Sequence, residues 1–128
     1  MAKEFFGREL SACEMLIMKA VWSYDGDIPL KELMIQLRDV YHKDYARTTV
    51  ATFLTRLHNK GYIETYRIGR ASFTHPLKTL EEFREKLIRE EIDFWFDGKD
   101  EDLVSAMCKT KKLTDESKDN IHTTISNN

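Results

Sequence analysis

The stretch 46–61, ARTTVATFLTRLHNKG, constrains this chain more than any other because it carries two unlike faces on one helical period. Val50, Phe53, Leu54 and Leu57 recur at i, i+3, i+4 and i+7, the spacing that gathers apolar side chains on one side of an α-helix. Opposite them stand Thr48, Thr49, Thr52, Thr55, Arg56, Asn59 and Lys60. Threonine is β-branched and lowers helix propensity, so this face was selected for something other than helix stability. Short hydroxyls beside a helical arginine suit a helix that lies close in a DNA major groove, donating to phosphates and touching base edges. A merely solvated face on a core helix would look the same, and the stretch alone leaves both readings open.

The flanks supply a setting for that helix. Ser11 followed three residues later by Glu14 is a capping box, and it opens a helix with Met15, Met18 and Trp22 as its stripe and Ile17 and Val21 beside them. Tyr24, Asp25, Gly26 and Asp27 end it with turn chemistry. Ile28 can pair briefly with a strand elsewhere, and Pro29 fits the first turn of a second helix that carries Leu30, Leu33, Met34 and Leu37 as far as about Val40. Residues 41–45 connect to the central helix, and Gly61 is placed to end it in a left-handed conformation. Two β-rich segments follow, 62–67 and 71–75, joined by Ile68, Gly69 and Arg70 and stopped by Pro76. Three short helices and then a hairpin with Arg67 and Arg70 near its tip is the order of a winged helix-turn-helix, the hairpin being the wing.

Charge divides the chain in the same place. The 128 residues carry a net charge of −2, but seven lysines and arginines against two acids make residues 41–78 locally +5, while eight against thirteen make everything from 79 onward −5. Local sign governs what a surface attracts. After Leu80 a stripe of Phe83, Leu87, Ile88, Ile92 and Trp95 marks a helix of roughly four to five turns, broken at residues 97–100. A short helix around Leu103, Val104 and Met107 follows, then one capped by Thr114 whose large apolar residues are Ile121 and Ile125, with a frayed end at 126–128. One stripe on a detached helix cannot bury itself, and a second copy of the chain is the simplest cover. The expected dimer interface is therefore Phe83, Leu87, Ile88, Ile92, Trp95, Leu103 and Met107. The chain reads as mainly α with a small β-hairpin wing: a winged-helix DNA-binding domain at 1–78 and a C-terminal helical dimerisation segment at 79–128.

Other classes find little support. No apolar run approaches the roughly 18 residues that span a bilayer, and MAKEFFGREL has no signal-peptide apolar region, so a cytoplasmic protein without membrane insertion is expected. Cys13 and Cys108 belong to no metal-ligand or disulfide spacing and read as buried small apolar residues. His42, His58, His75 and His122 stand apart, with no metalloprotease motif, nucleophile elbow or phosphate loop, so no catalytic residue, metal or cofactor is assigned and the chain is not read as an enzyme. Trp22, Phe53, Phe73 and Trp95 read as core or interface aromatics. The competing class is a winged helix used for protein–protein contact without sequence-specific DNA binding; the +5 segment and the polar helix face count against it.

With these residues in view the chain resembles the penicillinase-repressor family, which includes the methicillin-resistance repressors. The resemblance runs from Leu10 to about Val104, through LSACEMLIMKAVW, TTVATFLTRLHNKGYI and GRASFTHP. It implies a homodimeric transcriptional repressor that occludes promoters at palindromic operators. On that resemblance DNA contacts would fall on Thr48, Thr49, Ala51 and Thr52, with Arg56 on the backbone and Arg67 and Arg70 on the wing; Arg47 and Thr55 of the same helix are expected contacts beside them. Ala51 departs from members with a long basic residue there and offers a methyl group to thymine. Copper-responsive members carry a C-terminal cysteine cluster, which this chain lacks. For β-lactam-responsive members a membrane-bound sensor protease is a further partner; its site aligns near Ala106 and Met107, where the family's Asn-Phe pair is absent.

Overall fold

The computed structural model describes residues 9–128, so the reading of the extreme N-terminus as free of a signal peptide lies largely outside it. Among the described residues six helices and three strands follow in the order α1 (Ala12–Ser23), β1 (Ile28–Pro29), α2 (Leu30–Asp39), α3 (Arg47–Asn59), β2 (Ile63–Ile68), β3 (Ala71–Pro76), α4 (Leu80–Trp95), α5 (Asp100–Thr110) and α6 (Asp115–Ser126). The fold is mainly helical with a small antiparallel sheet, a winged helix. The chain divides into two compact units, Met1–Lys86 and Leu87–Asn128. That division lies within α4, beyond the sequence-based boundary after Lys78.

In the first unit each helix turns its apolar period inward. Ile17, Met18 and Val21 of α1, Leu33 and Leu37 of α2, and Val50, Leu54 and Leu57 of α3 form one buried cluster. Full burial of such a side chain is worth about 1.5–3 kcal/mol, so these three faces dominate the stability of the unit. The Ser11 hydroxyl accepts from the Glu14 amide at 3.2 Å while Glu14 Oε1 accepts from the Ser11 amide at 2.8 Å, which starts α1 as the capping box predicts. Helix α3 ends in a Schellman arrangement: Gly61, at φ +81, donates to the His58 carbonyl and Tyr62 donates to that of Leu57, both at 3.0 Å. The chain is thereby turned so that Tyr62 and Ile63 enter the core and begin the wing.

The sheet has the order β1-β3-β2. Ile28 and Pro29 face Thr74 and Phe73, and the hairpin runs in register from Ile63 opposite Pro76 to Ile68 opposite Ala71. The brief pairing expected of Ile28 is present. Pro29 is the last residue of β1 and the N-cap of α2, one position earlier than its expected place inside the helix.

Phe83 departs from expectation. It does not wait for a second chain: its ring lies 5.2 Å from that of Trp22 and 6.3 Å from that of Tyr62, so the opening of α4 completes the core of the winged helix. Trp22 Nε1 donates to the Lys78 carbonyl at 2.8 Å, and a second capping box holds the start of α4, with Thr79 and Glu82 exchanging bonds of 3.0 and 3.1 Å. The stripe told which side of the helix is apolar and carried no information on which neighbour covers each turn.

In the second unit Ile92 alone is buried. Asp97 and Gly98, at φ +51 and +77, reverse the chain, and Arg89 pairs with Asp93 at 3.4 Å and with Asp100 at 2.9 Å across that reversal. Helices α5 and α6 bury no residue, and α6 stays helical through Ser126 although fraying was expected from there. Cys108 is exposed and Cys13 half-buried, with its Sγ 2.9 Å from the Tyr45 hydroxyl, so neither is the buried apolar residue anticipated.

Candidate nucleic-acid interface

Helix α3 starts at Ala46, an N-cap that offers no side-chain hydrogen bond. Its opening amide groups, at the positive end of the helix dipole, take no side-chain cap among the described residues and are open to an acceptor from outside. Arg47, Thr48, Ala51, Thr52, Thr55 and Arg56 are exposed on α3 and Thr49 is half-buried, so the sequence-predicted face is a real surface. Arg56 lies over the Phe53 ring, its guanidinium carbon 5.7 Å from the centroid, and Phe53 in turn meets Tyr45 edge-on.

Two details of that face correct the sequence reading. Thr52 Oγ1 donates to the Thr48 carbonyl and Thr55 Oγ1 to the Ala51 carbonyl, each at 3.0 Å. A carbonyl can only accept, so the one proton of each hydroxyl is engaged by the helix itself, and what these threonines offer outward is a methyl group and oxygen lone pairs rather than the expected donor. Lys60 also leaves the DNA-like face. Its Nζ sits 2.6 Å from Glu14 Oε1 and 2.7 Å from the Glu9 carbonyl, tying the C-terminus of α3 to the start of α1. Glu14 is 1% exposed. Burial raises its carboxyl pKa, but the Lys60 ammonium and the Ser11 amide outweigh burial and hold it below the ordinary carboxylate value.

The wing turns through Gly69, at φ +61, and Arg70, a two-residue loop that takes glycine first. Arg67 and Arg70 are exposed there, and Ile68 at the tip is 65% exposed. Tyr66 stacks on Phe73, with centroids 5.4 Å apart and an interplanar angle of 15°. Its hydroxyl donates to Asp27 Oδ2 at 2.6 Å, and His75 Nδ1 lies 2.8 Å from Asp27 Oδ1. Those two bonds, Tyr66 first, lower the Asp27 pKa. The sequence showed Asp27 only as a turn residue; no local signal ties it to partners 39 and 48 positions away.

Of the seven residues expected at a dimer interface, Ile88, Trp95 and Met107 are exposed, Leu87 and Leu103 are half-buried, Ile92 is buried and Phe83 packs in the winged-helix core. Val104 and Ile125 are exposed as well. No helix among the described residues is long and apolar enough to cross a membrane.

A three-helix core with an uncapped, basic third helix and an arginine-tipped hairpin defines a winged helix-turn-helix protein. Residues 10–127 match the penicillinase repressor family, and the chain belongs to that family, one of transcriptional repressors rather than enzymes. Among solved structures it is similar to the solution structure of the DNA-binding domain of the repressor BlaI, with a TM-score of 0.50 and 24% sequence identity over 58% of this chain and 87% of that one. At that identity the likeness speaks for the fold. No curated protein matches the chain.

Proposed function

We propose that the protein is a DNA-binding transcriptional repressor that acts as a homodimer on palindromic operators in the cytoplasm. The observation that carries this reading is the exposed α3 face of Arg47, Thr48, Ala51, Thr52, Thr55 and Arg56, uncapped at its start, in the same unit as a wing bearing Arg67 and Arg70. The helix enters the major groove, where Arg47, Arg56 and the free amide groups take phosphates and the Thr and Ala methyl groups and lone pairs meet base edges. Thr49 sits at the margin of this contact. Arg67 and Arg70 add phosphate contacts from the wing. Residues 1–78 then form the reading module and 79–128 the dimerisation segment, except that Phe83 serves the former. Ile88, Trp95 and Met107, with Leu87 and Leu103 at their edge, are the surface one copy offers another. Repression follows from occupancy: a dimer seated over a promoter denies the site to polymerase.

Footprinting of the intact protein on its own promoter tests the reading, with binding titrations at several salt concentrations. Two protected half-sites about one or two helical turns apart are expected, with log K falling linearly against log salt. Absence of protection together with a flat salt dependence would reject DNA binding and favour the protein–protein module.

A further inference from the structure

We propose that Asp27 is the positioning residue of the wing, fixing the angle at which Arg67 and Arg70 are presented to DNA; this rests on the DNA-binding reading above. Of the β2 residues only Ile63 is buried, so from Glu64 outward no core contact holds that strand. Strand β1 supports β3 only at Thr74 and Phe73. In the alternation of the hairpin, Glu64, Tyr66 and Ile68 share one face with His75, Phe73 and Ala71, and Asp27 caps that outer face. Its two carboxylate oxygens take donors from different strands, Oδ1 from His75 on β3 at 2.8 Å and Oδ2 from Tyr66 on β2 at 2.6 Å. One side chain in the loop before β1 thus reaches across the sheet and fastens both arms of the hairpin. Tyr66, stacked flat on Phe73, passes that restraint to its neighbour Arg67 and so to the tip.

The sign of the effect separates this role from plain electrostatics. An acidic side chain beside a basic DNA-facing segment repels phosphates, so its removal should raise affinity if charge were all that mattered. Positioning requires the opposite. The test is fluorescence anisotropy of the full-length protein on the DNA fragment protected in the footprint, comparing Asp27→Ala, Tyr66→Phe, Arg70→Ala and the double variant Asp27→Ala/Arg70→Ala. Tyr66→Phe keeps the ring stacked and the charge unchanged, which guards against misfolding of the other variants. Asp27→Ala and Tyr66→Phe should each weaken binding about three- to tenfold, within the lower part of the range of coupling between residues in contact. Asp27→Ala should also flatten the salt dependence by about one phosphate contact, and add little once Arg70 is gone. Tighter binding by Asp27→Ala, unchanged binding by Tyr66→Phe, or losses that simply multiply in the double variant would each overturn the assignment while leaving DNA binding in place. A wild-type protein that binds no DNA would instead remove the reading on which the assignment rests.

Discussion

The two units of this chain treat apolar side chains in opposite ways. Among the described residues, thirteen of the fourteen buried hydrophobic side chains belong to the first unit and Ile92 is the fourteenth, although the second unit also carries Ile88, Trp95, Val104, Met107 and Ile125. The difference is not one of periodicity, for the helices of both units are amphipathic. It lies in closure: α1, α2 and α3 meet around one cluster, whereas α5 and α6 bury nothing. Isolated helices of this length are marginal in water, so a unit built this way depends on what covers it. The first unit closes a core of its own, and the second leaves large apolar side chains exposed.

Truncation breaks this comparison most directly. A chain ending at Lys86 keeps Phe83 and should fold as a monomer, yet lose about 10²- to 10⁴-fold in affinity for the full operator because the second half-site is no longer tethered. Ending at Lys78 removes Phe83 as well, and should lower the melting temperature where ending at Lys86 does not. Sedimentation equilibrium and thermal melts on both chains read the two effects; a dimeric Lys86 truncation would move the interface elsewhere.

A core substitution should act on one unit alone. Leu57→Ala is expected to destabilise the winged helix by about 2–5 kcal/mol in urea titration. Trp95→Ala, at a side chain 66% exposed, should leave that transition unmoved and weaken self-association instead. Equal loss of folding stability in both variants would contradict the division drawn here.

Acid should act on the first unit through Glu14. Because its folded-state pKa is depressed below the ordinary value of 4.5, the folded form binds fewer protons than the unfolded one there, and stability rises with pH. That contribution is fully present above pH 4.5 and is lost as pH falls through the depressed folded value. Glu14→Gln should cost about 1–3 kcal/mol at neutral pH and flatten the acid limb of the stability curve. An unchanged acid limb would count against the pairing with Lys60.

The smallest effect concerns the reading face. Arg56→Ala should weaken all DNA roughly alike and reduce the salt slope by about one. An unaltered slope would leave Arg56 to its packing on Phe53.

What could be read in the sequence was local. The capping boxes, the helical stripes, the glycine that ends α3 and the glycine-led turn of the wing act over a few residues, and each follows from backbone geometry and spacing that the order of residues records directly. Hence the winged-helix order, and the place of Arg47, Thr48, Ala51, Thr52, Thr55, Arg56, Arg67 and Arg70 on exposed surface, were legible before any coordinates. The capping box of Thr79 and Glu82 carries a signal of the same local kind. The remaining features were decided only in three dimensions. Phe83 joins Trp22, Lys60 turns to Glu14, and Asp27 fastens Tyr66 and His75. Hydrophobic periodicity names the side of a helix that must be covered and is silent on the cover. A charged or hydroxyl side chain likewise takes whichever complementary group the fold brings within hydrogen-bonding distance, and for most of these residues that group is tens of positions away along the chain.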